Sequence, residues 1–113
     1  MKNQWALVGD WEIRQQAAVS QVPHGRLSYR FHARDLNLVM SPPGLDARVP
    51  FRVLLDGESP GASHGGDIDA QGNGSLSEPR VYQLIRQPGV IEDRTFEITF
   101  LEPGAEVYAF TFG

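Results

Sequence analysis

Apolar side chains recur two residues apart along most of this chain, and that period constrains its fold more than any other feature. Tyr29/Phe31, Val49/Phe51/Val53/Leu55, Phe96/Ile98/Phe100 and Tyr108/Phe110/Phe112 all follow it. Successive side chains of a strand point to opposite faces, so a period of two is that of a strand buried on one side. Such strands, joined by Gly- and Pro-containing turns, predict antiparallel pairing rather than parallel strands bridged by helices. The expected fold class is all-β, an antiparallel β-sandwich of jelly-roll type with about eight strands, in one domain spanning residues 1–113.

The bulk numbers agree with this reading. A chain of 113 residues with 41% hydrophobic and 21% charged side chains can bury a core of its own. The net charge of −4 argues against nonspecific binding to nucleic acid, which needs a basic surface. Nine of the ten basic residues are Arg, with Lys2 the exception. Guanidinium groups suit planar, bidentate contacts, although genome composition accounts for such a bias equally simply. There is no cysteine, which removes disulfides, zinc–thiolate sites and thiol catalysis from the chain itself. No signal-peptide pattern opens it at Met1-Lys2-Asn3-Gln4-Trp5, and no apolar run is long enough to span a bilayer as a helix, so no membrane insertion is expected. The reading is a cytosolic domain or a piece of a longer protein.

Along the chain, Trp5-Ala6-Leu7 and Trp11-Glu12-Ile13 read as short strands around a Gly9-Asp10 turn, with a weaker stretch from Gln15 to Ser20. A long strand follows the Pro23-His24-Gly25 turn, and its alternation changes phase at Arg34-Asp35. That slip marks a bulge or a tight connection between two strands. Arg48 to Asp56 is the next strand. Gly57 to Pro79 has no apolar period and reads as the longest loop, the kind of segment that often carries function. Val81 to Gln87 is apolar on both faces, as a central strand would be, and Arg94–Leu101 with Glu106–Phe112 predicts a hairpin.

Two groups of residues are candidate sites. Asp67, Asp69, Gln71, Asn73 and Glu78, with Gly72, fall on the spacing of a calcium-binding loop, which needs alternating oxygens, a sharp Gly turn and a terminal carboxylate. Calcium is therefore the one candidate cofactor. Against it, Gln71 replaces Asp or Asn, no helical pattern flanks the loop, and a solvated turn whose Asp and Asn cap their own backbone fits the same residues. The second group is polar and aromatic: Arg30, His32, Arg52, Tyr82 and Arg86. If their strands are neighbours, the arginines would bond sugar hydroxyls or uronic carboxylates and Tyr82 would stack. A solvated sheet face paired with Glu97 and Glu106 is the simpler alternative. Trp5 and Trp11 are aromatic platforms in one reading and core plugs in the other. His24, His32 and His64 lie in no catalytic or metal-binding spacing, so no enzymatic activity is expected.

Several stretches together carry a resemblance. Tyr29-Arg30-Phe31-His32-Ala33-Arg34-Asp35-Leu36-Asn37-Leu38-Val39-Met40, Phe51-Arg52-Val53-Leu54-Leu55-Asp56-Gly57, Gly65-Gly66-Asp67-Ile68-Asp69 and Arg80-Val81-Tyr82-Gln83-Leu84-Ile85-Arg86 resemble the C-terminal domain of DipZ-type thioredoxin-like proteins. So do Phe96-Glu97-Ile98-Thr99-Phe100 and Tyr108–Gly113. The likeness runs from about Trp5 to Gly113. In that family, bacterial thiol–disulfide proteins linked to cytochrome c biogenesis, a redox domain precedes a sandwich similar to carbohydrate-binding modules. The resemblance implies a noncatalytic accessory domain, an extracytoplasmic location, the parent's thioredoxin-like domain as partner, and carbohydrate as a candidate ligand. The alternative is a structural domain that docks the redox domain or its client and takes no small ligand.

Overall fold

Antiparallel pairing organises the whole chain, as its period requires. The computed structural model describes residues 5–13, 17–44 and 46–113, without the side chain of Trp5. Ten strands appear: β1 (Trp5–Val8), β2 (Trp11–Ile13), β3 (Ala18–Ser20), β4 (Gly25–Phe31), β5 (Asp35–Ser41), β6 (Val49–Leu55), β7 (Asn73–Leu76), β8 (Arg80–Arg86), β9 (Arg94–Phe100) and β10 (Glu106–Phe112). The one helical element among them is a single turn at Gly61–Ser63. The strands form two five-stranded sheets, one ordered β1-β4-β9-β6-β7 and the other β2-β3-β10-β5-β8. The expected all-β sandwich is the observed architecture.

Register explains where the core lies. On the first sheet Leu7, Leu27, Ile98 and Val53 stand in one row, and Tyr29, Phe96 and Leu55 in the next. On the second, Phe110 is level with Leu38 and Tyr82, and Val107 with Met40. These rows face each other, and Leu27, Phe96, Ile98, Leu38, Met40 and Val53 are fully buried. The phenyl ring of Phe51 occupies the space that a side chain on Gly74, its register partner, would fill. Tyr29 stacks on Phe110 with centroids 4.5 Å apart, and Phe112 continues that stack at 5.7 Å from Tyr29. Trp11 packs edge-on against Phe100 and donates Nε1–H to the Val8 carbonyl, so it plugs the core. The platform reading of Trp5 concerns a side chain outside the described residues.

Three expectations are corrected. The described residues form ten strands: β3 lies in the weaker stretch from Gln15 to Ser20, and β7 lies within the segment read as loop and pairs with β6 from Val49↔Leu76 to Arg52↔Asn73. Its sequence, Asn-Gly-Ser-Leu, has one large apolar residue and therefore no visible period. Of the two readings of the slip at Arg34-Asp35, the tight connection between two strands is the observed one, and it joins β4 to β5 in the other sheet. β9 and β10 likewise lie in opposite sheets and form no hairpin; Leu101–Ala105 carries the chain across the sandwich. β8 is an outer strand of its sheet, not a central one. It looked central because Leu84 and Ile85 are both buried. A register shift opposite Leu36/Asn37 turns two consecutive side chains inward, as a β-bulge does.

Candidate functional site

The sites expected from sequence are scattered by this topology. Arg30 and Arg52 project from the outer face of the first sheet, on strands separated by β9. That face carries a row Val8–Arg26–Thr99–Arg52–Asn73. Each arginine has a neighbour: Arg26 with Glu97 at 3.8 Å, Arg30 with Thr95 Oγ1 at 2.9 Å, and Arg52 with Ser59 Oγ at 3.3 Å. His32 lies just past β4 and pairs through Nδ1 with Asp93 at 2.6 Å. Arg86 belongs to the opposite sheet. Tyr82 is 1% exposed, with Phe51 edge-on to its ring and the Arg80 guanidinium 3.9 Å above it. Its hydroxyl accepts from the backbone N–H of Ser77 and Glu78 and donates to the Glu78 carbonyl. The stacking role is thus assigned to a ring that faces no solvent.

The 67–78 segment is held by bonds to β8 and by bonds within itself. Both oxygens of Asp67 receive the Arg80 guanidinium, at 2.7 and 3.2 Å, and Oδ2 also accepts the Gln83 backbone N–H at 2.7 Å. The Arg80 hydrogen bonds dominate and, with that backbone donor, hold the Asp67 carboxyl below the usual carboxylate range against the opposing effect of burial. Asp69 Oδ1 accepts the backbone N–H groups of Asn73 and Gln71, the former the larger cause of its lowered pKa. This is the backbone-capping arrangement of an Asx turn. Glu78 approaches Arg80 at 3.5 Å. Among the described residues no three His, Asp or Glu side chains converge as metal ligands would.

A concave polar site forms on the outer face of the second sheet, and the β8 bulge creates it. With Leu84 and Ile85 both turned inward, the outward positions Gln83 and Arg86 stand three residues apart instead of two. The gap is a cavity of about 80 Å3 lined by Asp35, Asn37, Gly65, Gly66, Gln83, Ile85 and Arg86. Across it, β5 contributes Asp35 level with Arg86, and Asn37 level with Gln83. The other wall is the segment after Gly61–Ser63, which runs along the free edge of β8. The Gly65 N–H donates to the Leu84 carbonyl and the Asp67 N–H to the Gln83 carbonyl. Any side chain at Gly65 would collide with the Gln83 carbonyl oxygen, so this approach requires glycine.

Beside the cavity lies a buried carboxylate oxygen without a hydrogen bond. Asp35 Oδ2 accepts from Arg34 at 3.0 Å, while Oδ1 is fully buried without a hydrogen-bond partner and has Arg86 Nε 3.9 Å away. Shielded from water, that oxygen has the nearby Arg86 charge, not a hydrogen bond, to offset its desolvation. Sequence reasoning selected Arg86 of this set and missed Asp35, Asn37, Gln83 and Gly65. The signals that could have found them were the phase slip at Asp35 and the adjacent apolar pair Leu84-Ile85.

The sandwich resembles in fold a part of several solved carbohydrate esterases. A family two carbohydrate esterase from Cellvibrio japonicus superposes with a TM-score of 0.72 at 13% identity, over 98% of this chain and 31% of that one. One from Clostridium thermocellum gives 0.70 at 12% identity, over 99% and 32%. An acetyl xylan esterase from the rumen bacterium Butyrivibrio proteoclasticus gives 0.69 at 8%, over 99% and 29%. The chain therefore spans about a third of each esterase, and at these identities the likeness is one of fold. No curated protein matches it by sequence. The family described as thioredoxin like C-terminal domain matches residues 1–113, the whole chain, and the protein belongs to that family.

Proposed function

We propose that this chain is a noncatalytic accessory domain, C-terminal to a thioredoxin-like redox domain in a protein of the DipZ type, and that it holds glycan on one sheet face. The observation that carries the reading is the whole-chain match to a C-terminal-domain family in a chain without cysteine. Thiol–disulfide chemistry in such a protein has to be performed by another part of it, which leaves binding or positioning for this one. The fold shared with parts of carbohydrate esterases, and a polar cavity rich in amide, carboxylate and guanidinium groups, support glycan as the ligand class. Cytochrome c biogenesis and an extracytoplasmic location are the context the family resemblance suggests.

Affinity electrophoresis of the 113-residue chain through gels containing xylan, glucomannan or mixed-linkage glucan tests this. Retardation in at least one gel is expected; migration like a nonbinding reference protein in all of them contradicts it. A second reading is favoured by one observation, the exposed apolar pair Val90 and Ile91 at 81% and 40%. In that reading the domain docks its redox neighbour through this loop and takes no small ligand. Val90→Ser would then weaken association with the separately produced redox domain, which glycan binding alone does not require.

A further inference from the structure

We propose that the groove at the loop end of the second sheet, on both sides of Pro43, holds a lysine or arginine side chain of an extended protein segment. The inference goes beyond the glycan reading and does not rest on it. The connections that follow β3, β5, β7 and β9 meet at this end. They leave two hollows of about 370 and 350 Å3, which share Pro43 as a ridge and Glu106 as a wall. The ridge is built in. Gly104, at φ +100°, lies against Pro43, whose Cβ is 2.8 Å from where a side chain at Gly104 would begin. Each hollow has the volume of a ligand pocket, and Val19, Pro42, Pro79 and Pro103 make the walls largely apolar.

The lining is poor in donors and rich in acceptors. Prolines have no N–H. The Ser20 N–H is spent on the Ala105 carbonyl, that of Gly104 on the Ser20 carbonyl, and those of Ser77 and Glu78 on the Tyr82 hydroxyl. The Ser41 hydroxyl donates to the Pro42 carbonyl. Glu106 and Glu78 add carboxylates, and no Lys, Arg or His lines either hollow. Glu78 has Arg80 at 3.5 Å. Glu106 Oε1 accepts the Tyr108 hydroxyl at 3.0 Å, and among the described residues no cation pairs with Glu106. The complement of such a groove is a positive group that donates without accepting and arrives on an apolar stem. Lys and Arg side chains meet all three conditions. A neutral sugar brings acceptors as well as donors. An amino sugar carries its ammonium directly on the ring, with no stem to lie along the prolines.

The test is an NMR titration of the 15N-labelled chain with a capped hexapeptide of alternating lysine and proline. The glutamate–proline counterpart and the hexamer of glucosamine are titrated alongside. The amides of Ser77, Glu78, Gly104 and Glu106 are expected to shift and saturate with the lysine peptide only. Glu106→Gln is expected to weaken that binding about tenfold, as the loss of a charge-assisted hydrogen bond does. Glu78→Gln, on an exposed turn, is expected to weaken it several-fold and carries the test if Glu106→Gln fails to fold. An equal response to the glutamate peptide, or unchanged affinity in the folded variants, overturns the proposal. So does saturation by the glucosamine hexamer without the peptide, which makes an amino glycan the occupant. Shifts of the same amides on concentrating the chain alone overturn it too, in favour of a second copy.

Discussion

Asp67 and Tyr82 are the residues at which chemistry and position part. Asp67 opens a stretch with the spacing of a calcium loop, yet its oxygens face Arg80 and the Gln83 N–H. A guanidinium that chelates a carboxylate through two hydrogen bonds competes directly with a cation for it. Calcium at millimolar concentration is therefore expected to leave Tm unchanged and to move no resonance of Asp67, Asp69 or Glu78; a rise in Tm reversed by EDTA would contradict this. Asp67 also gives a pH signature. Its folded pKa is lowered, so its contribution to stability is present above the unfolded value and is lost as pH falls through the folded one. Asp67→Asn should lie below the parent in Tm near pH 6, and the gap should close as pH falls below about 4. Tyr82 stands among strand residues that sequence could treat as outward-facing, but its hydroxyl closes the 77–78 turn from within the core. Tyr82→Phe is expected to cost about 1–2 kcal/mol in chemical denaturation and to leave glycan affinity unchanged.

The elements show which structural signals the sequence carried. Strands with strict alternation, β4, β6 and β9, were legible because each presents one apolar face to the opposite sheet, and period two records that directly. β7 was hidden because it pairs Gly74 against Phe51 and supplies backbone rather than side chains. Partnership was also illegible: a turn such as Glu102-Pro103-Gly104 serves a hairpin and a sheet-to-sheet crossing alike, and alternation says which face is buried but not which strand lies alongside. The candidate cavity depends on both hidden features, a bulge in β8 and a loop laid along its edge. Of its lining, only Arg86 belonged to the site residues expected from sequence. The arginines at Arg30 and Arg52 share a face, while Arg86 looks out from the other sheet. If Gly65 is what lets the loop approach β8, Gly65→Ala should destabilise by about 2 kcal/mol, a fall of roughly 10 °C in Tm. Hydrogen exchange in the variant should quicken first at position 65, whose N–H donates to the Leu84 carbonyl, and at Asp67, whose N–H donates to the Gln83 carbonyl. Unchanged protection at those two amides would count against the loop as a covering strand.

At the scale of the molecule, two sheets enclose one apolar core between them, while Val8, Val81, Tyr108 and the Val90–Ile91 loop remain exposed. Fold class was readable at this scale because an all-β sandwich follows from alternation alone. The ligand was not, because a ligand is recognised by side chains that three-dimensional register, rather than sequence, brings to one place. The whole-chain family match and the absence of cysteine are the observations on which the proposed accessory role rests. The most direct test of that role follows an acetylated xylo-oligosaccharide and the 15N-labelled chain in one NMR sample over a day. Shifts at Asn37, Gln83 and Arg86 with the sugar's acetyl signal undiminished are the predicted result. Release of acetate, or a spectrum untouched by the sugar, would contradict a domain that holds its ligand without transforming it.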